Sequence, residues 1–223
     1  MAEDRVESLR ADVIAFGRVV ESRLRQALTA VDTFDPELAD EIIDGDDEIN
    51  RRYLALESEC IDCFALSQPV AGDLRLVTAA FKILTDLERI ADLATNLAAL
   101  AETLVSDDPG ETFAAVPLVE IGEFAAAMLD DALHAFAEGD AELCKGVASR
   151  DDRLNERCAA ASATIIRQLV EYSGEADSPI AAAPAAAREV LVLVRDLERV
   201  GDHAVNIAAR TYYMIEFDDA LLY

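Results

Sequence analysis

Two acidic segments share almost one spelling. Asp86-Leu87-Glu88-Arg89-Ile90-Ala91-Asp92 returns at a shift of 110 as Asp196-Leu197-Glu198-Arg199-Val200-Gly201-Asp202, and each continues to an asparagine, Asn96 and Asn206. Helical positions four apart rotate by about 40°, so Glu88, Asp92 and Asn96 line one oxygen-rich ridge, as do Glu198, Asp202 and Asn206. Such oxygen donors suit Mg2+, Mn2+ or Ca2+, and with a histidine they admit Fe or Zn. A second acidic set precedes each ridge: Asp46, Asp47 and Asn50 are repeated as Asp151, Asp152 and Asn155. If neighbouring helices run antiparallel, Asp47 reaches the height of Glu88, and Asp152 that of Glu198. Crowded carboxylates raise one another's proton affinity unless a cation neutralises them, and bound metal resolves that conflict. The expected ligands are therefore Glu88, Asp92, Glu198 and Asp202, assisted by Asp47, Asp152, Asn96 and Asn206.

A plainer reading competes at every one of these positions. Acidic residues beside arginines on a helix surface are commonly a solvated face, and one copy of the motif would carry little weight. Recurrence in register shifts the balance, because solvated positions drift after duplication. His203 points about 100° away from Asp202 and reads as a half-buried histidine bonded to a backbone carbonyl. His134 is spaced to join Asp130 and Asp131, but Thr29 occupies its slot in the first half, which favours a surface role. Asp86 and Asp196 fall inside the apolar arc and need partners, with Arg75 and Arg188 as candidates. Cys60 and Cys63 share a helical face without a second pair to complete a zinc site, so they read as core thiols. Neither a nucleotide loop, a nucleophile elbow nor a Glu-x-x-His di-iron signature occurs, and no enzyme is expected.

The elements that must position these residues are helices. Apolar residues recur at spacings of three and four in Phe16, Val19, Val20, Leu24 and Leu28, and again in Phe81, Leu84, Leu87, Ile90 and Ala91. Asp35-Pro36 reads as a cap followed by proline at the first helical position. Gln68-Pro69, Ser106 through Gly110, Glu138-Gly139-Asp140 and Gly174 through Pro179 mark the other breaks. Asp35, Glu37, Leu38, Asp46, Asp47 and Asn50 match Asp140, Glu142, Leu143, Asp151, Asp152 and Asn155 at a shift of 105. The sequence thus predicts an all-α chain of two tandem antiparallel three-helix bundles related by a pseudo-twofold internal duplication, one over 1–108 and one over 109–223. Helices are expected near 2–36, 37–68, 70–105, 115–138, 140–173 and 181–216.

Bulk composition narrows the partners. The 223 residues are 52% hydrophobic, which excludes a disordered chain, while 45 acidic against 19 basic residues give a net charge of −26. Nucleic acid and anionic membrane surfaces would be repelled. Lysine is confined to Lys82 and Lys145, the other basic residues being arginine. An acidic, lysine-poor, alanine-rich chain reads as adapted to concentrated salt, where screening acts over about 3 Å at 1 M, although an ordinary acidic protein would share part of this signature. The start of the chain lacks a secretory pattern and no apolar run of spanning length occurs, so a cytoplasmic protein without membrane insertion is expected.

These segments together resemble the PhoU family of phosphate-uptake regulators. Gln68-Pro69-Val70-Ala71-Gly72-Asp73-Leu74-Arg75 is similar to the family's stretch before its third helix. Leu87 through Asp92 and Leu197 through Ala208 are similar to its two signature repeats. In the later half Ser178-Pro179-Ile180-Ala181 departs from the first of these stretches, and Leu93 fills the slot that His203 takes. The resemblance implies metal clusters, of Fe, Zn, Mn or Mg, held at the surface by the repeated carboxylate motifs. It also implies an adaptor that represses phosphate-starvation signalling through a phosphate ABC transporter and, where present, a sensor histidine kinase. A homodimer is compatible with it. Two other functions fit the ridges alone: a carboxylate-bridged metalloenzyme, and a helical interaction module without metal.

Overall fold

The computed structural model describes residues 2–107, 116–173 and 183–222. Its elements are α1 (Ala2–Thr33), α2 (Pro36–Asp44), α3 (Asp46–Asp62) with a π-helical turn (Cys63–Ser67), α4 (Gly72–Asp107), α5 (Leu118–Glu138), α6 (Ala141–Ala148), α7 (Asp151–Ser173) and α8 (Ala183–Glu216). No strand occurs among the described residues. Of the turn expected over Ser106 through Gly110, Ser106 and Asp107 still belong to α4 and 108–110 lie outside the described residues, as does the break expected at 174–179.

Local chemistry sets most boundaries. Asp35 caps α2, its carboxylate accepting from the Glu37 and Leu38 amides at 3.1 Å, with Pro36 at the first helical position. Asp140 repeats the device in α6, accepting from the Leu143 amide at 2.9 Å. Gly139 closes α5 at φ +68, a left-handed turn that glycine takes without a Cβ penalty. Gln68 ends the π-helical turn in the left-handed region, and Pro69 follows it.

One expectation needs correction. The single middle helix predicted in each half is two, broken at Gly45 and at Ser149-Arg150. The break re-aims the chain so that α3 and α7 each begin with an acidic first turn, where exposed backbone N–H groups favour negative charge.

Within a half the path is up, down and up. In the first, Arg5 near the start of α1 meets Asp62 at the end of α3, and Arg23 farther along α1 meets Asp46 at the start of α3 and Thr95 late in α4, so α3 runs against α1 and α4. In the second, α5 and α8 pack together with α6 and α7 between them in sequence. Across the halves α4 packs on α8 and α1 on α5, so α1, α4, α8 and α5 form a central four-helix ring. Buried side chains from both halves make one continuous core, among them Phe16, Leu24, Leu87, Ile90, Leu133, Phe136 and Leu197.

The seam between α1 and α5 is tight and reciprocal. A Cβ on Gly17 would meet Leu133 Cδ2 at 2.4 Å, and one on Gly122 would meet Leu28 Cδ2 at 2.2 Å. These are the same two positions exchanged between the halves. Arg18 pairs with Asp130 along this seam, and Arg25 with Glu123.

Candidate metal centre

Glu88 and Asp92 stand on the face of α4 that meets the start of α3. Burial holds the Glu88 carboxyl above the ordinary glutamate range, with the charges of Asp92 and Asp46 adding to it. Asp46 is fully engaged. Its Oδ1 accepts from Thr95 Oγ1 at 2.8 Å and from Arg23 Nη2 at 3.3 Å, and its Oδ2 from Asn50 Nδ2 at 3.0 Å. Arg23 is only 7% exposed and donates to the Ile42 carbonyl as well. Burial lowers its pKa while Asp46 pulls the other way. Gly45 makes room for it, since a Cβ there would stand 3.0 Å from Arg23 Nη1. On the outer side Arg89 lies 3.5 Å from Glu88 and 3.3 Å from Asp92.

The second ridge repeats the carboxylates without these cations. Burial raises the Glu198 pKa, and the charges of Asp202 and Asp151 raise it further. Asp202 is exposed as a residue, yet the protein crowding its carboxyl raises its pKa, and Asp151 adds to the effect. Asp151 Oδ2 accepts from Asn155 Nδ2 at 3.0 Å, but Asp151 Oδ1 and Asn155 Oδ1 are buried with no donor. The Cys158 thiol is pushed up to about 12 by burial and by the neighbouring Glu198 and Asp202 charges. Arg199 pairs with Asp196 at 3.4 Å, and its charge works against the rise at Asp202.

Several expected residues stand elsewhere. Asp47 and Asp152 are exposed, and it is Asp46 and Asp151 that face the ridges. The signal lay in Ile49 and Leu154: these buried residues sit three positions after Asp46 and Asp151 and mark their face. Asn96 and Asn206 have drifted about 80° from Glu88 and Glu198. Asn206 donates to Asp86 at 3.2 Å across the crossing of α4 and α8, and Asn96 lines a cleft of about 360 Å3 with Asp196, Arg195 and Arg199.

Asp86, half-buried, and Asp196, buried, also have unexpected partners. Asp86 Oδ1 lies 2.9 Å from His203 Nδ1, so the histidine meets a carboxylate rather than a backbone carbonyl. Asp196, 4% exposed, is held by Arg199 and Arg195 of its own helix. Arg75 instead donates to the Met214 carbonyl, and Arg188 pairs with Glu189. His134 is exposed, while Asp130 and Asp131 pair with Arg18 and Arg150. All four cysteines are buried free thiols, Cys60 pushed up to about 12 by burial, which suits core packing and not reactivity.

Among the described residues, no three Asp, Glu, His or Cys side chains stand close enough to grip an ion as they are placed. What fits a cation is the donor chemistry of the second ridge: Asp151 adds its charge to Glu198 and Asp202, and two buried oxygens are without donors. No helix of the described residues is long and apolar enough to cross a membrane.

The same arrangement of helices occurs in known proteins. A crystal structure of PhoU from Pseudomonas aeruginosa superposes with a TM-score of 0.86 at 32% identity, covering 98% of this chain and 100% of that one. The phosphate transport system regulatory protein PhoU from Streptococcus pneumoniae gives 0.82 at 25% identity, covering 98% of each chain. In sequence, the phosphate-specific transport system accessory protein PhoU of Escherichia coli K12 is 32% identical over 214 residues, 96% of this chain and 85% of that protein. A PhoU homolog of the same description from Pseudomonas aeruginosa is 35% identical over 218 residues. The family model described as the PhoU domain matches residues 13–101 and again 118–211, one match in each half. With both repeats matched and the helical ring shared, the chain belongs to the PhoU domain family.

Proposed function

We propose that this protein is an accessory regulator of phosphate uptake: a non-catalytic adaptor that contacts a phosphate ABC transporter, and a sensor kinase where one exists, and restrains the starvation response while phosphate is plentiful. The observation that carries this reading is the match along nearly the whole chain to accessory proteins of phosphate transport, with both acidic repeats in place. A cell lacking the gene is expected to express its phosphate-uptake system in phosphate-rich medium, and the intact gene to restore repression. Unchanged uptake-gene expression in the deletion would overturn the reading.

The metal part of this function rests on the orphaned oxygens of the second ridge. Glu198, Asp202 and Asp151, with the Asn155 amide oxygen, form the donor set for a hard divalent cation or for Fe. Bound there, the ion would supply a fixed positive charge on a strongly acidic surface. Glu88 and Asp92 form the matching ridge on α4, but arginines already stand beside it. Asp47, Asp152, Asn96 and Asn206 fall outside the donor set because their side chains face other ways. His203 lies between the ridges with Nδ1 at Asp86, an arrangement that leaves Nε2 for another partner. Docking is preferred to catalysis because the relatives are named as accessory proteins and Asp202 stands exposed on the surface.

A further inference from the structure

The duplicated sites are not equivalent, and the difference is chemical. We infer that the first site carries its own cation, the Arg23 guanidinium, whereas the second is completed by a metal ion from solution. This inference rests on the proposed metal-binding function and assigns its stoichiometry within the chain.

Three positions around the two aspartates carry the argument. Asp46 takes hydrogen bonds from Arg23, Thr95 and Asn50. Asp151 keeps only the asparagine, Asn155. At the duplication shifts, buried Met128 stands in the place of Arg23, and Val205, packed on the core, stands in the place of Thr95. Both lost donors have become apolar, and one oxygen of Asp151 is left buried and unpaired. A buried carboxylate stripped of its donors is strongly unfavourable unless something positive replaces them. Met128 packs near the base of the second ridge: its Cε is 3.9 Å from where a Gly201 Cβ would be, on the side of Leu154.

The third position is the helix break. Gly45 lets the guanidinium approach closely, since a Cβ there would stand 3.0 Å from Arg23 Nη1 and push it aside slightly, while its counterpart Arg150 points a full side chain toward Asp131 and the Phe124 ring. The small residue stands where the guanidinium sits. Arginine with glycine in one half, and methionine with arginine in the other, are two matched pairs. The outer arginines differ in degree: Arg89 pairs directly with Glu88 and Asp92, whereas Arg199 pairs with Asp196 and reaches Asp202 only through its charge.

The test counts bound Mn2+ in the full-length, chelator-stripped protein in concentrated KCl, from the loss of the free-ion electron paramagnetic resonance signal. Roughly one tight equivalent is expected. The Glu198→Gln/Asp202→Asn variant should weaken it by roughly 10-fold or more. The Glu88→Gln/Asp92→Asn variant should leave the tight equivalent in place. Arg23→Met should add a second equivalent, and Met128→Arg/Arg150→Gly should abolish the first while circular dichroism shows retained helicity. If both ridge variants lose binding alike, or Arg23→Met adds none, the asymmetry is overturned and the metal-binding reading stands. If wild-type protein takes up no Mn2+, the metal-binding reading itself falls.

Discussion

Proton affinity at the ridges follows from crowding, and it gives the metal-free protein a signed pH response. Glu88, Glu198 and Asp202 all have folded pKa values above their ordinary ones. The folded state therefore holds protons that the unfolded chain has released, and stability declines as pH rises from the ordinary carboxylate value through the raised one. Calorimetry on chelated protein at constant KCl, scanned upward from pH about 4, should show this decline. It should be flatter in a Glu88→Gln/Glu198→Gln/Asp202→Asn variant, and Mn2+ should offset it at the upper end. A decline of equal size in that variant would place its origin elsewhere. At this scale the sequence was half legible. The repeated Glu-x-x-x-Asp carboxylates announced themselves, since duplication kept them in register. Arg23 did not, because it reaches Asp46 from another helix and no local spacing links the two. Asp46 and Asp47 are neighbours of one type, and only the burial of Ile49 fixes which of them faces the ridge.

Helix ends were readable wherever a side chain makes the end. Asp35 announced its cap, Asp140 only a break at the matching position, and replacing either with alanine is expected to lower stability by about 1 kcal/mol, as measured by urea unfolding. The break between α2 and α3 was unreadable for a physical reason: Gly45 sits at φ −75, a helical value, and Arg150 is no breaker at all. Nothing in the residue types forces the chain to turn there; packing against α1 and α4 does. Helix approach was equally hidden. Gly122→Ala would drive a methyl group into Leu28, a side chain with little space to yield, and should lower stability by about 1–3 kcal/mol. Gly146→Ala, where a Cβ meets nothing within 4 Å, is the control and should be neutral or better.

At the scale of the molecule, a net charge of −26 acts against a ring of helices whose core is rich in small residues such as Ala27, Ala80, Ala94, Ala125 and Ala208. Such a core contributes little buried area per residue, so self-repulsion weighs heavily when salt is dilute. Helical circular dichroism is expected to fall on dialysis into low-salt buffer and to return in molar KCl. Full helicity without salt would count against a salt-adapted fold. The seam between α1 and α5 adds a consequence for assembly. In shape the seam is isologous, since Gly17 receives Leu133 as Gly122 receives Leu28. In charge it is not: α1 supplies both arginines, Arg18 and Arg25, and α5 both acids, Asp130 and Glu123. Two copies of the first half, docked in the same way, would set arginine against arginine, and two copies of the second would set acid against acid. Only unlike halves attract, a sorting that two identical chains related by a twofold axis cannot achieve and that a fused duplication can.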